Sequence, residues 1–451
     1  MSEKTYSLEM TIRTLLENKR YSSIKDILIT LNAADIAAIF AELEPDILPL
    51  LFRLLPKELA ADTFVEMDPD QQQLLITRFS DTELKEVIDE LYIDDAVDLV
   101  EEMPANVVKR ILYQADPETR KLINELLKYP EDSAGSIMTT EFVELGMGYT
   151  VEDAIKTIRR TGLDKETIND CFVTGPGRKL EGIISIRSLI LAQDDEKVSD
   201  IMDTNVVSVN TMDDQETVAQ KFKKYDLTAM PVVDKENRLV GIVTVDDAID
   251  VMEEEATEDI EKMAAITPSD KPYLKTTAWE IYIHRIPWLM LLMVSATFTG
   301  LIISSFEEVL AAQLVLTAYI PMLMDTGGNS GSQASVTIIR GLSLNEIQFK
   351  DIFTVIWKEV RVAVLCGISL AAISFLKLMF LDKVGMLVSL SVSLTLTVTV
   401  TIAKFIGCTL PMLAKKLGFD PAVMASPFIT TVVDALSLLT FFSIAKAIIG
   451  L

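Results

Sequence analysis

Apolar and polar positions follow different rhythms along the 451-residue chain. Over residues 1–130 the apolar positions recur at helical spacing in short runs. Breaks such as LEPDIL, LLPKEL, MDPDQQQ, FSDTEL, YIDDAV, EMPANV and ADPETR separate them. A Pro near the first helical turn with Asp or Ser ahead of it starts a helix. The breaks return about every ten to a dozen residues, too close together for long coiled coils. The pattern therefore predicts an N domain of short stacked helices, a superhelix.

Residues 131–250 change character and contain an internal repeat. SIMTTEFVELGMGYTVEDAIKTIRR is echoed by DIMDTNVVSVNTMDDQETVAQKFKK, and CFVTGPGRKLEGIISIRSLI by MPVVDKENRLVGIVTVDDAI. Each copy reads strand, helix, strand, turn, strand, helix, with the turns at Gly175–Gly177 and Asp234–Asn237. This α/β repeat resembles a tandem CBS pair, a regulatory module that often binds adenine nucleotides. The second copy has that family's Gly-x-x-Thr-x-x-Asp pattern as Gly241, Thr244 and Asp247. The first has Gly182 and Ser185, but Ser188 stands in place of the acid. If a nucleotide binds through its ribose, the resemblance points to Thr244 and Asp247.

Residues 247–264 read as one acidic amphipathic helix, with Ile249, Met252, Ala256, Ile260 and Met263 on one stripe. TPSDKP breaks it, so 247–270 is expected to connect the soluble part to the apolar part of the chain. From about 284 onward the chain is apolar. Five spans are expected at 284–305, 310–338, 353–379, 386–412 and 424–448, each near or above the roughly 20 residues that cross a bilayer. Basic residues crowd the approach to the first span and the second–third and fourth–fifth connections, whereas the first–second connection has Glu307 and Glu308 and no base. The positive-inside rule then puts the N-terminal domains in the cytoplasm and the C-terminus outside. Lys377 and Lys383 on the third–fourth connection work against it. The fold expected is multidomain and mainly α, with a five-helix transmembrane domain over 271–451.

Charge sharpens this division. Residues 271–451 carry 13 Lys and Arg against 10 Asp and Glu, and residues 1–270 carry 28 against 57, a net of −29 within the chain's −26. So acidic a soluble part disfavours nucleic acid as a partner and favours cations. Cys171, Cys366 and Cys408 are far apart, which suggests neither a disulfide framework nor a metal-ligand spacing. His284 is the single histidine, and there is no H-E-x-x-H or G-x-S-x-G, so an intramembrane hydrolase lacks its parts.

Two features of the apolar region carry candidate chemistry. The stretch PMLMDTGGNSGSQAS, 321–335, puts Pro321 where it can break the second span. Gly327, Gly328 and Gly331 would leave carbonyls open, and Asn329 and Gln333 are neutral oxygen ligands, as in the discontinuous helices of transporters. The competing reading is a tight helix crossing. The other feature is Asp434, midway along the last span, with Thr430 and Thr431 one turn earlier. An ionisable group at that depth is a functional-site hypothesis; a protonated, helix-bonded acid is the alternative. Asp325 can line the path or cap a span end. All these ligands are oxygen, which suits Mg²⁺, Ca²⁺ or Mn²⁺, and a sparse site that holds a hydrated ion suits Mg²⁺ best. In the soluble part Asp94, Asp95, Asp98, Glu101 and Glu102 cluster, Asp246, Asp247 and Asp250 adjoin the acidic helix, and Asp420 lies in a loop between spans. Each acid alone reads as solvated surface; together they repel unless cations bridge them.

With these residues in view, the whole chain resembles the MgtE family of magnesium channels and transporters. Pro321 with GGNSGSQ at 327–333, and FDPAVMASPFITTVVDA at 419–435, carry the likeness most specifically. The resemblance implies a homodimer with a pore on its axis, lined by the second and fifth spans, with the pore aspartate at Asp434. It implies cytosolic Mg²⁺-sensing acids at Asp95, Asp98, Asp247, Asp250, Glu258, Asp259 and Asp420, and ATP as a modulator at the CBS pair. The chain is then a transporter and not an enzyme. The rivals are a carrier of Mn²⁺, Co²⁺ or Ca²⁺, and a sensor that uses its spans only as an anchor.

Overall fold

The computed structural model describes residues 3–450 apart from Asp270, Pro272 and Ala425. The expected TPSDKP break falls partly outside the described residues. The chain forms two compact units, Met1–Met252 and Glu253–Leu451.

In the first unit, short helices follow one another from Glu3–Glu17 to Pro117–Leu126. The polar breaks in the sequence are their start signals. Ser80 and Glu83 form a reciprocal capping box on Asp81–Ile88. Asp116 accepts from the N–H groups of Glu118 and Thr119 at 2.8 and 3.2 Å, with Pro117 in the first turn. Helix α1, Ile93–Glu102, buries Ile93, Val97 and Val100. Its first N–H groups need an acceptor from elsewhere, and Glu141 Oε2 accepts from Ile93 N at 3.0 Å.

The repeat then builds two three-stranded sheets of the same design. Strand β1 (Phe142–Gly146) runs parallel to β2 (Thr167–Thr174), and β2 antiparallel to β3 (Leu180–Ser185). Strands β4 (Val209–Asn210), β5 (Ala229–Val233) and β6 (Leu239–Thr244) repeat the pattern. The hairpin turns use left-handed backbone at Gly177 (φ 74°) and Asn237 (φ 61°), residue types that tolerate it. One apolar core runs from the helical array into the second copy, through Val218, Phe222, Met230 and Val243.

Helix α2, Val245–Met263, follows β6 without a break, and the unit boundary lies within it. The second unit holds α3 (Ala278–Ser305), α4 (Ile320–Ser343), α5 (Ile352–Phe380), α6 (Met386–Lys416) and α7 (Ser426–Ile449). Among the described residues four helices are long and apolar enough to cross a membrane, those of α3, α5, α6 and α7. Helix α4 is not one of them, because its middle is polar.

The second expected span needs correction. Residues 310–319 are the end of a short helix and a 3₁₀ turn, and the long helix starts only at Ile320. Pro321 sits in the first turn of α4, where a missing N–H costs nothing, so it begins the helix instead of breaking it. GGNSGSQ is then regular helix. A side chain at Gly327 would meet Thr399, Ser437 and Val433 within 3.0 Å, and one at Gly331 would meet Ile429 at 2.9 Å and the Ala403 carbonyl at 3.3 Å. These glycines let α4 approach α6 and α7 closely; they do not open its backbone.

Helix α6 is unusual in another way. Hydroxyls occupy every second position from Ser389 to Thr401. Strict alternation reads as a strand in water. Here Ser391, Thr395 and Thr401 each donate to the carbonyl four residues back, at 2.8, 2.7 and 2.9 Å, so the helix itself absorbs these hydroxyls, while Thr397 donates to the Gly367 carbonyl of α5 at 3.2 Å.

Candidate functional site

Three arrangements of acids and polar oxygens stand out, one in the first unit and two in the second.

In the first unit α1 and the start of α2 bring Asp94, Asp95, Asp246 and Asp247 into electrostatic contact with Glu166, Glu141 with Asp95 and Glu166, and Asp98 with Asp95 and Asp247. Burial, then the charges of Asp247 and Asp246, push the Asp95 carboxyl up to about 7. Burial, then Asp95 and Asp247, push Glu166 up to about 8. Asp94, 8% exposed, is driven well above the usual carboxylate range by burial and by Asp95. Asp98 is driven up to about 7 by burial and by Asp95, but its side chain also meets solvent, which screens it. Asp247 is raised to about 6 by burial, against the hydroxyl of Thr244, which donates to it at 2.6 Å. Glu166 Oε2 is buried with no hydrogen-bond partner. Asp95, Asp98 and Glu102 also line a cleft of about 290 Å³ with Glu66 and Asp68. Glu141 also feels Lys165, but Asp94, Asp95, Asp98 and Glu166 have other carboxylates as their main charged neighbours.

The expected nucleotide residues lie at the same place. Thr244 precedes the first turn of α2, and Asp247 is tied back to its hydroxyl and N–H. In the first copy Ser185 and Ser188 take the matching positions, with Ser188 N donating to Ser185 Oγ at 3.1 Å. Asp250 lies one turn along α2, exposed.

In the second unit the end of α2 meets the loop between α6 and α7. Lys262 Nζ stands 2.5 Å from Glu258 Oε1 and 2.7 Å from Asp420 Oδ2. Burial would lower the ammonium pKa, yet the two carboxylates outweigh it and raise it to about 12. Asp259 Oδ2 accepts from Ser343 Oγ at 2.9 Å, and Met263 packs on Ile339 and Ala422. Four residues that the sequence marks for sensing or packing therefore meet at the C-terminal end of α4.

The third arrangement is on α4 and α7. Asp325, Asn329, Gln333, Thr337 and Arg340 are exposed and recur every three or four residues, so they form one polar stripe along α4. Its other faces hold buried Leu323, Gly327, Gly331, Ala334, Ile338 and Leu342. Gly328 falls on the packed side, against Thr430 of α7. Asp434 of α7 is half-buried, its Oδ1 is buried without a hydrogen-bond partner, and its charge interacts with that of Asp325. Thr431 donates to the Pro427 carbonyl at 3.0 Å. An exposed polar stripe in a bilayer must face protein or a wet cavity. Among the described residues no three His, Cys, Asp or Glu side chains come together tightly enough to hold a bare metal ion.

Known proteins share this architecture in full. A family model described as a divalent cation transporter matches residues 320–444, the MgtE intracellular N domain matches 31–132, and CBS domains match 134–195 and 198–254. The magnesium transporter MgtE of Thermus thermophilus is 36% identical over 100% of this chain and 99% of its own. This chain belongs to the MgtE family of magnesium transporters. The MgtE of Bacillus subtilis is 34% identical over 98% of this chain and 97% of its own. Among solved structures, the cytosolic domain of the Mg²⁺ channel MgtE in complex with ATP is 36% identical, with TM-score 0.52, over 54% of this chain and 99% of that one. The soluble part of a magnesium transporter is 31% identical, with TM-score 0.52, over 56% of this chain and 99% of that one.

Sequence reasoning missed several members of these arrangements. Glu141 and Glu166 belong to no motif, and only the fold brings them to α1. Lys262 carried a signal, since it lies four residues after Glu258 on one helix.

Proposed function

We propose that this chain is a Mg²⁺-selective channel or transporter for magnesium uptake across the cell membrane, and that it closes when cytosolic Mg²⁺ is plentiful. The ion passes along the polar stripe of α4, with Asn329 and Gln333 as neutral oxygens. Asp434 supplies the charge that attracts a cation at depth, and Thr431 lies a turn away. The observation that carries this reading is the bare, buried Oδ1 of Asp434 beside the charge of Asp325. A buried carboxyl oxygen left without a hydrogen-bond partner inside a membrane is best explained by a cation that visits it. Among the described residues no trio of His, Cys, Asp or Glu forms there, and so sparse a ligand set suits a hydrated Mg²⁺ that keeps its waters.

The soluble unit is the sensor and faces the cytoplasm; the C-terminus lies outside. Mg²⁺ bridges Asp95, Asp98, Asp247 and Asp250, and Glu258, Asp259 and Asp420 take part at the end of α2. Bound Mg²⁺ favours the closed state only by as much as it binds that state more tightly. The chain works as a homodimer, and ATP binds the CBS pair through Thr244 and Asp247 as a modulator. The second reading, transport of Mn²⁺, Co²⁺ or Ca²⁺, draws on the same oxygen ligands.

The test is ion flux into liposomes that contain the purified protein. Wild type should carry Mg²⁺ and Asp434→Ala should not. Normal flux through Asp434→Ala would overturn the pathway. Flux of Mn²⁺, Co²⁺ or Ca²⁺ at the Mg²⁺ rate would favour the second reading.

A further inference from the structure

A buried ion pair lies beside the proposed pathway and belongs to none of the three arrangements of acids and oxygens. Lys404 of α6 is 5% exposed, and its Nζ is 3.7 Å from Glu359 Oε2 of α5. About 18 Å of helix separates Lys404 from Lys416 at the end of α6, so Lys404 lies well inside the apolar unit. Its neighbour along the chain, Ala403, is the residue whose carbonyl lies against Gly331 of α4, and Gly407, one turn on, also abuts Gly331. Gly331 stands between Asn329 and Gln333 on the helix that bears the polar stripe. A lysine is therefore fixed at the level of the path, one helix away from it.

We infer that Glu359 is a positioning residue for cation transport: its carboxylate holds the Lys404 ammonium toward α5 and cancels its charge at the level of Gly331. This rests on the pathway proposed along α4. Two physical points support the assignment. An uncompensated positive charge in a poorly screened interior repels a cation over many ångströms, and a divalent ion feels it twice as strongly as a monovalent one. The pair is also too far apart for a strong charge-assisted hydrogen bond, whose N–O distance is about 2.7–2.9 Å, so its value lies more in charge balance than in a tight tether.

Charge balance predicts an asymmetry that a purely structural pair does not. Glu359→Gln leaves a bare ammonium beside the path. Lys404→Met leaves a carboxylate, whose charge attracts a cation instead of repelling it. If the pair served only to join α5 to α6, loss of either partner would hurt alike, since each leaves the other buried and unpaired.

The experiment measures Mg²⁺ flux into liposomes for Glu359→Gln, Lys404→Met, the double variant and Asp434→Ala. Glu359→Gln should lower flux about tenfold or more, and adding Lys404→Met should bring it back to within about twofold of wild type. Lys404→Met alone should keep wild-type flux or exceed it. A double variant as slow as Glu359→Gln, or a Lys404→Met that loses flux about tenfold, would overturn the inference. If Glu359→Gln does not yield folded protein, the result for Lys404→Met decides alone. Asp434→Ala separates the two readings: wild-type flux there overturns the pathway itself. Loss of flux there, without the Glu359–Lys404 asymmetry, overturns only the role of this pair.

Discussion

The acids around α1 and those at the end of α2 are handled in opposite ways. Glu258 and Asp420 share the ammonium of Lys262, so the protein supplies its own cation. Asp95 and Glu166 have other acids as their main electrostatic neighbours, and burial pushes both toward neutrality. A group of carboxylates held out of water without its own cation is costly to keep charged. It is relieved by protons, by charge removal or by an external cation. The difference between the two places suggests where Mg²⁺ gains most by binding: at Asp95 and Glu166, whose charged neighbours are acids.

The largest expected effect comes from removing charge from the acids around α1. Asp95→Asn with Asp247→Asn should stabilise the protein in EDTA, by on the order of 2 kcal/mol or several degrees in Tm, while abolishing most of the stabilisation that Mg²⁺ gives to wild type. Differential scanning calorimetry of the purified protein checks both. A double variant that melts lower in EDTA would break the comparison.

Acidification should act the same way on a smaller scale. The folded-state pKa values of Asp95, Asp247 and Glu166 lie at about 7, 6 and 8, above the usual carboxylate range. Between about pH 4 and 8 the folded protein thus binds more protons than the unfolded chain, and its stability falls as pH rises. Without Mg²⁺, Tm should therefore climb from pH 8 toward pH 5.5. Saturating Mg²⁺, which competes with the protons, should flatten that slope. A Tm that rises with pH in EDTA would contradict the account.

The smallest effect is expected at the lysine-satisfied acids. Lys262→Met removes the internal cation between Glu258 and Asp420, so closure should lean more on Mg²⁺. Flux at the lowest Mg²⁺ should rise modestly, and inhibition should become steeper with Mg²⁺. Unchanged flux and inhibition would mean that Lys262 plays no part in gating.

How far the sequence could be read depends on how local each signal was. The helical array and the repeated α/β module rest on caps and turns within a few residues of each other, such as Ser80 with Glu83 and the left-handed Asn237. Those signals are visible in one dimension. The polar middle of α4 was visible as chemistry but not as geometry. Pro321 reads equally as a break or a start, and only the 3₁₀ turn before it decides. The glycines likewise read as open backbone until α6 and α7 are found against them. Glu166 and Lys404 were silent, because a single acid just ahead of a strand or a single base in an apolar helix acquires meaning only from neighbours remote in sequence. The hydroxyl alternation in α6 would even mislead, since its period of two belongs to strands.

The central claim is that Mg²⁺ bound by the soluble acids closes the pathway. The measurement that tests it most directly is Mg²⁺ flux through oriented wild type and Asp95→Asn with Asp247→Asn in liposomes, with Mg²⁺ varied on the side of the soluble unit. Wild-type flux should fall as that Mg²⁺ rises, and the variant should stay open to higher Mg²⁺. Equal inhibition of both proteins would contradict the account.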